Sequence, residues 1–130
     1  LPKIVGISRA LELTYSGRII DAQEALQLNL VSSIHDSENL LSNAVDITKK
    51  MVQNSAPVSI SLTRQMLWRS LESSGPYDAH VIESKAIDSR GASEDAKEGV
   101  SSFLEKRPAE FKNKVSSDMP EFFPWWKDTN

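Results

Sequence analysis

The sequence predicts an all-α fold, and three observations carry that expectation. Apolar residues recur at three- and four-residue spacing through most of the chain, and no stretch shows the strict alternation of a half-buried strand. Helix-capping residues also punctuate the pattern at short intervals. About six helices with short connections follow, with at most one or two strand-like links.

Ile4, Ile7 and Leu11, and then Ala10 and Leu13, share helical spacing, and Ser16-Gly17 supplies a stop, so the first helix runs from about 7 to 15. Asp21 is a good N-cap for a second, with Glu24 three residues on in a capping-box arrangement. Asn29 closes that helix, because Asn tolerates the left-handed conformation. Leu30 to Ile34 then reads as extended. Ser37 caps a longer helix whose stripe is Leu41, Ala44, Val45, Thr48, Met51 and Val52. Pro57 suits the first turn of the next, in which Val58, Leu62 and Met66 recur every fourth residue as far as about Glu72. Ser73-Ser74-Gly75-Pro76 breaks the chain, and Ala79, Ile82, Ala86 and Ile87 mark a further helix to about Arg90. Ser93 caps the last one, with Glu94 and Asp95 in its first turn and Lys106 and Arg107 in its last, signs that suit the helix dipole. Ala96, Val100, Phe103 and Leu104 form its expected buried face.

Helical spacing fades near Asn113, and beyond it the composition changes. Five of the nine aromatic residues, Phe111, Phe122, Phe123, Trp125 and Trp126, lie in the last twenty positions. Leaving that much ring surface in water is costly, while Pro120 and Pro124 forbid a regular helix. An extended strap that clips its rings onto the body or onto a neighbouring subunit is expected.

Composition narrows the function. With 130 residues, 39% hydrophobic and 25% charged, the chain fits one folded domain. Lys+Arg 15 against Asp+Glu 18 gives a formal charge of -3, the wrong sign for gathering nucleic acid. No apolar run approaches the roughly 20 residues of a membrane span. The absence of cysteine excludes disulfides, thiolate metal sites and cysteine nucleophiles, and His35 and His80 stand too far apart in sequence to suggest a zinc site. The five glycines, at 6, 17, 75, 91 and 99, are scattered singly, so no phosphate-cradling loop exists. His35 beside Asp36 reads as a surface or turn-bonding residue, and His80 near Asp78 likewise. Glu94, Asp95 and Glu98 read as a solvated helix start. No catalytic residue and no metal site is assigned. The opening Leu1-Pro2-Lys3 has neither initiator Met nor leader pattern, which fits a processed product or a piece of a longer protein.

The order of the pieces is more specific than any one of them. LPKIVGISRALELTYSGRIIDAQEALQLNLVSSI resembles the segment of the enoyl-CoA hydratase/isomerase (crotonase) superfamily that leaves the catalytic spiral and enters the C-terminal helices. SAPVSISLTRQML is similar to that family's SP-V-K helix, and SEDAKEGVSSFLEKRPAEFKNK resembles its closing element, with an acidic start, EG, a Phe, EKR and a final PxF in order.

The resemblance implies a crotonase-like C-terminal helical domain over 1–113, with the β-β-α spiral core outside this chain, followed by an aromatic-rich tail over 114–130. It implies an enzyme acting on acyl-CoA thioesters, with hydration of 2-enoyl-CoA as the expected reaction and isomerase or hydrolase chemistry as alternatives on the same scaffold. The family's oxyanion hole and acidic residues fall upstream of Leu1, so this chain alone is expected to be inactive. Phe103 and Lys106 match family residues that contact the coenzyme A nucleotide, bound mainly by a neighbouring subunit. An ammonium at a helix end can reach a phosphate, and Phe103 stands one turn before it. On the residues alone, Phe103 reads as core and Lys106 as a partner of the helix dipole. Tyr15 stands where relatives usually have an aliphatic residue, in a helix that the resemblance places at the border of the acyl end, so a larger ring there is expected to shorten the pocket; a boundary tyrosine with its hydroxyl in water is the plainer reading. Asn29 stands where relatives commonly have Gly. The expected partners are an acyl-CoA thioester and further copies of the chain, as a trimer or dimer of trimers, with no nucleic acid, no membrane and no cofactor beyond coenzyme A as part of the substrate. A cytoplasmic location is expected, with a mitochondrial or peroxisomal parent as the alternatives. The rival reading is a stand-alone helical interaction module that docks through its FFPWW tail.

Overall fold

The computed structural model describes residues 1–73 and 75–126. Among these it has seven helices and no strand: α1 (Pro2–Val5), α2 (Ile7–Ser16), α3 (Ala22–Gln27), α4 (Leu40–Val52), α5 (Pro57–Ser70), α6 (Pro76–Gly91) and α7 (Glu94–Glu105). The expected count of about six misses α1, a single turn begun by Pro2 and too short to show a period. The chain forms two compact units, Leu1–Asp46 and Ile47–Asn130.

In the first unit α1 packs on α2. Gly17 ends α2 in the left-handed conformation (φ 58°), donating its N–H to the Leu13 carbonyl at 3.1 Å. Asp21 caps α3 by accepting the Glu24 N–H at 2.7 Å. The capping box itself does not close, because the Glu24 carboxylate takes the Arg18 guanidinium as its partner, and Arg18 also reaches Glu12 at 3.0 Å. This shared guanidinium ties α2 to α3 and holds both carboxyls below their usual range. Asn29 is left-handed (φ 55°), as its residue type predicts. Residues 30–36 carry no strand. Ser37 does not cap α4: residues 37–39 form a turn, and the helix begins at Leu40. No residue of α4 is buried, and its stripe is open to water, Met51 being 74% exposed.

The second unit holds the larger core. Pro57 begins α5 as expected, and Val58 and Leu62 on its inner side are fully enclosed, Leu62 at 1% exposure. Burying such side chains contributes about 1.5–3 kcal/mol each. α6 packs against both α5 and α7 and buries Ala86, while Ile87, one residue further round, is exposed. The break before α6 falls at Ser73 to Gly75, with Ser74 outside the described residues.

The tail, described to Trp126, forms turns, bends and irregular chain and belongs to this second unit. Arg90, at the end of α6, donates to the Asn113 side-chain carbonyl at 2.8 Å and to the Asp118 backbone carbonyl at 3.4 Å. Phe122, Phe123, Trp125 and Trp126 pack ring on ring, with centroids 5.0–6.3 Å apart. The Arg69 guanidinium of α5 stacks 4.1 Å from the Trp126 ring centre. The strap therefore clips onto its own body.

Candidate functional site: the C-terminal end of α7

α7 starts as its sequence dictates. Ser93 accepts the Ala96 N–H at 3.2 Å, and Glu94 and Asp95 occupy the first turn. The helix is nevertheless the reverse of an ordinary amphipathic one. Its buried residues are Asp95, 3% exposed, and Ser102, whereas of the expected buried face Ala96 is half-buried and Val100, Phe103 and Leu104 lie in the open. The inward side is instead covered by the returning chain: a Cβ at Gly99 would stand 3.9 Å from the Phe111 ring.

Two carboxylates hold that return. Asp95 is no solvated surface acid: one of its oxygens accepts the backbone N–H groups of Lys112 (2.9 Å) and Asn113 (3.1 Å). Glu98, one turn on, takes both Arg107 terminal nitrogens (2.6 and 2.9 Å) and the Glu110 N–H (2.7 Å). The Arg107 guanidinium, and then that backbone N–H, pull the Glu98 carboxyl down to about 2. Arg107 is pushed up in turn, first by Glu98 and then by Glu105, which accepts its Nε at 2.6 Å.

Between these anchors the helix stops. Lys106 takes a left-handed conformation (φ 54°, ψ 40°), with its N–H on the Phe103 carbonyl at 3.3 Å and the Arg107 N–H on the Ser102 carbonyl at 3.1 Å. That is the helix ending glycine usually makes, and a residue with a Cβ adopts it at a cost of roughly 1–2 kcal/mol. Lys106 and Arg107 are thus outside the last turn rather than in it, because the left-handed residue turns the chain away at that point. Phe103, 81% exposed, and Lys106, also exposed, lie one turn apart on the outer side of this apex.

The remaining candidates are placed as follows. Tyr15, on α2, is 82% exposed. His35 is turn-bonding: its ring meets Ser33 Oγ at 2.7 Å and Asn43 Nδ2 at 3.1 Å, and Asp36 is not a partner. His80 is exposed. No group of three metal-ligating side chains occurs among the described residues. No helix among them is long and apolar enough to cross a membrane. A half-open groove of about 740 Å³ runs between α5 and α6, lined by Leu62, Met66, Ile82 and Ala86 and flanked by Trp125 and Trp126. It was not foreseen from the sequence; the paired apolar spacings of α5 and α6 and the aromatic tail were its only signal.

Comparison with known proteins gives this geometry a family. The family model for enoyl-CoA hydratase/isomerase matches residues 1–114. An enoyl-CoA hydratase of Alternaria alternata is 34% identical over 122 residues, covering 93% of this chain and 40% of that protein. The short-chain-enoyl-CoA hydratase of Clostridium acetobutylicum is 34% identical over 115 residues, covering 88% and 43%. The crystal structure of enoyl-CoA hydratase from Bacillus anthracis superposes with a TM-score of 0.79 at 28% identity, over 87% of this chain and 43% of that one. The chain thus spans about two fifths of the length of these relatives. Residues 115 onward, including the aromatic strap, lie beyond the family match. With its helical architecture and these matches in sequence and in structure, the chain belongs to the enoyl-CoA hydratase/isomerase family.

Proposed function

We propose that this chain is the C-terminal helical portion of an enzyme acting on acyl-CoA thioesters, with 2-enoyl-CoA hydration as its reaction, and that it contributes a contact to the coenzyme A nucleotide through Phe103 and Lys106. The observation that carries the reading is the outer side of the α7 apex: an apolar ring and an ammonium, both exposed and one turn apart, at the two positions the family resemblance singles out. A ring offers a plate for a purine, and an ammonium pairs with phosphate. Tyr15 belongs to the same proposal as a side chain bordering the acyl end. The open apolar faces of α4 and α7 support assembly with further chain of the same protein and with further copies of it, as a trimer or dimer of trimers. Catalytic groups are assigned to none of the 130 residues.

In the active enzyme that carries this chain, Lys106→Ala raises KM for a 2-enoyl-CoA several-fold with little change in kcat, the signature of lost uniform binding. An unchanged KM removes Lys106 from the site.

A further inference from the structure

The backbone at Lys106 is in a conformation that a lysine does not choose for itself. Such an outlier persists only where its surroundings over-determine it. Here the surroundings are explicit. Glu98 grips Arg107, the residue immediately after the apex, through both oxygens at 2.6 and 2.9 Å, and the first of those oxygens also takes the Glu110 N–H. Arg107 is further fixed by Glu105 on the near side of the apex and by the Pro108 carbonyl at 3.1 Å. One guanidinium thus ties the last helical residue, the chain after the reversal and a residue two turns back in α7 together, with Lys106 between Glu105 and Arg107.

We propose that Glu98 and Arg107 form a positioning clamp that sets Lys106 in its left-handed conformation and so aims its ammonium at the phosphates of the coenzyme A nucleotide. The proposal rests on the reading of Lys106 given above and extends it to residues that touch no ligand. A planar, two-oxygen grip is suited to the task, because it fixes orientation as well as distance. The carboxylates of Glu98 and Glu105 are both engaged by the Arg107 guanidinium.

The test compares two thioesters of the same acyl group, one on coenzyme A and one on pantetheine, which lacks the nucleotide. The active enzyme carrying this chain is assayed as wild type, Glu98→Gln, Arg107→Gln, Lys106→Ala and the Glu98→Gln/Lys106→Ala double variant. The clamp predicts that Glu98→Gln and Arg107→Gln raise KM several-fold for the coenzyme A thioester and leave the pantetheine thioester unaffected. It also predicts that the double variant is no worse than Lys106→Ala alone, because a clamp without its lysine has nothing to aim. A Lys106→Ala effect with no effect of either clamp variant overturns the inference and leaves the reading of Lys106 standing. Equal losses on both thioesters, including loss through misfolding, make the pair a general scaffold and overturn the inference as well. No effect of Lys106→Ala overturns the reading and the clamp together.

Discussion

α5 and α7 lie in the same unit, and both are read from sequence as amphipathic helices with an apolar side turned inward. Only α5 behaves that way. It encloses Val58 and Leu62 and begins at a proline that fits its first turn. α7 encloses a carboxylate and a hydroxyl and leaves Val100, Phe103 and Leu104 in water. The difference shows what each helix is held by. α5 is held by burial, which is non-directional and tolerates an approximate fit; α7 is held by directional hydrogen bonds that a chain returning across it donates to two of its carboxylates. A helix held in the second way has its apolar side free for something outside the unit.

The contrast is sharpest in stability. Leu62→Ala removes a side chain that is almost wholly buried and is expected to cost about 2–5 kcal/mol, whereas Phe103→Ser removes a larger side chain and is expected to stay within about 0.5 kcal/mol. Urea unfolding of the two variants checks this, and equal losses would mean that the two faces are covered alike. Asp95→Ala comes next. It strands the backbone N–H groups of Lys112 and Asn113 and is expected to cost about 1–3 kcal/mol, with faster amide exchange over 110–113 as the local readout.

Much of this was legible from the residues, and the failures share one cause. Helix spacing located α2, α3, α5, α6 and α7 nearly to the residue, and Asp21, Pro57 and Ser93 act as caps or first-turn residues because those roles depend only on near neighbours. Asn29 falls in the same class. The inward side of α7 was misread because spacing assigns apolar residues to a core on the assumption that the core lies within the chain. Asp95 and Glu98 were read as solvated because their partners stand 9 to 18 residues away, beyond the reach of a helical period. One local hint existed: Arg107-Pro108 places a guanidinium at a point where the chain must leave the helix, opposite in sign to Glu98. The start of α4 was misplaced at Ser37 because a serine signals a cap only if the next residues turn helical, and here the turn at 37–39 intervenes. At the candidate site, Phe103 and Lys106 came from family resemblance alone; what the residues by themselves could not foretell is the left-handed backbone that makes Lys106 an apex.

The smallest expected effect concerns acid. Glu98 titrates near 4.5 when free and about 2 in the folded chain, because Arg107 and the Glu110 N–H favour its charged form. A lowered folded value means that the contribution is fully present above pH 4.5 and is lost as the pH falls towards 2. Acid unfolding of Glu98→Gln should therefore show a shallower loss of stability across that window than the wild type. Parallel curves would detach the carboxylate from the stability of the return.

The central claim, that the outer side of the α7 apex meets a coenzyme A nucleotide, is tested most directly by the reactivity of one amine. Lys106 in the active enzyme is acylated with an amine-reactive reagent, and the modification is read by peptide mass spectrometry with and without a saturating coenzyme A thioester. The account predicts strong protection of Lys106 by that thioester and none by the matching pantetheine thioester, with Lys49 and Lys50 on α4 serving as unprotected references. Equal labelling of Lys106 in the presence and absence of the coenzyme A thioester would contradict it.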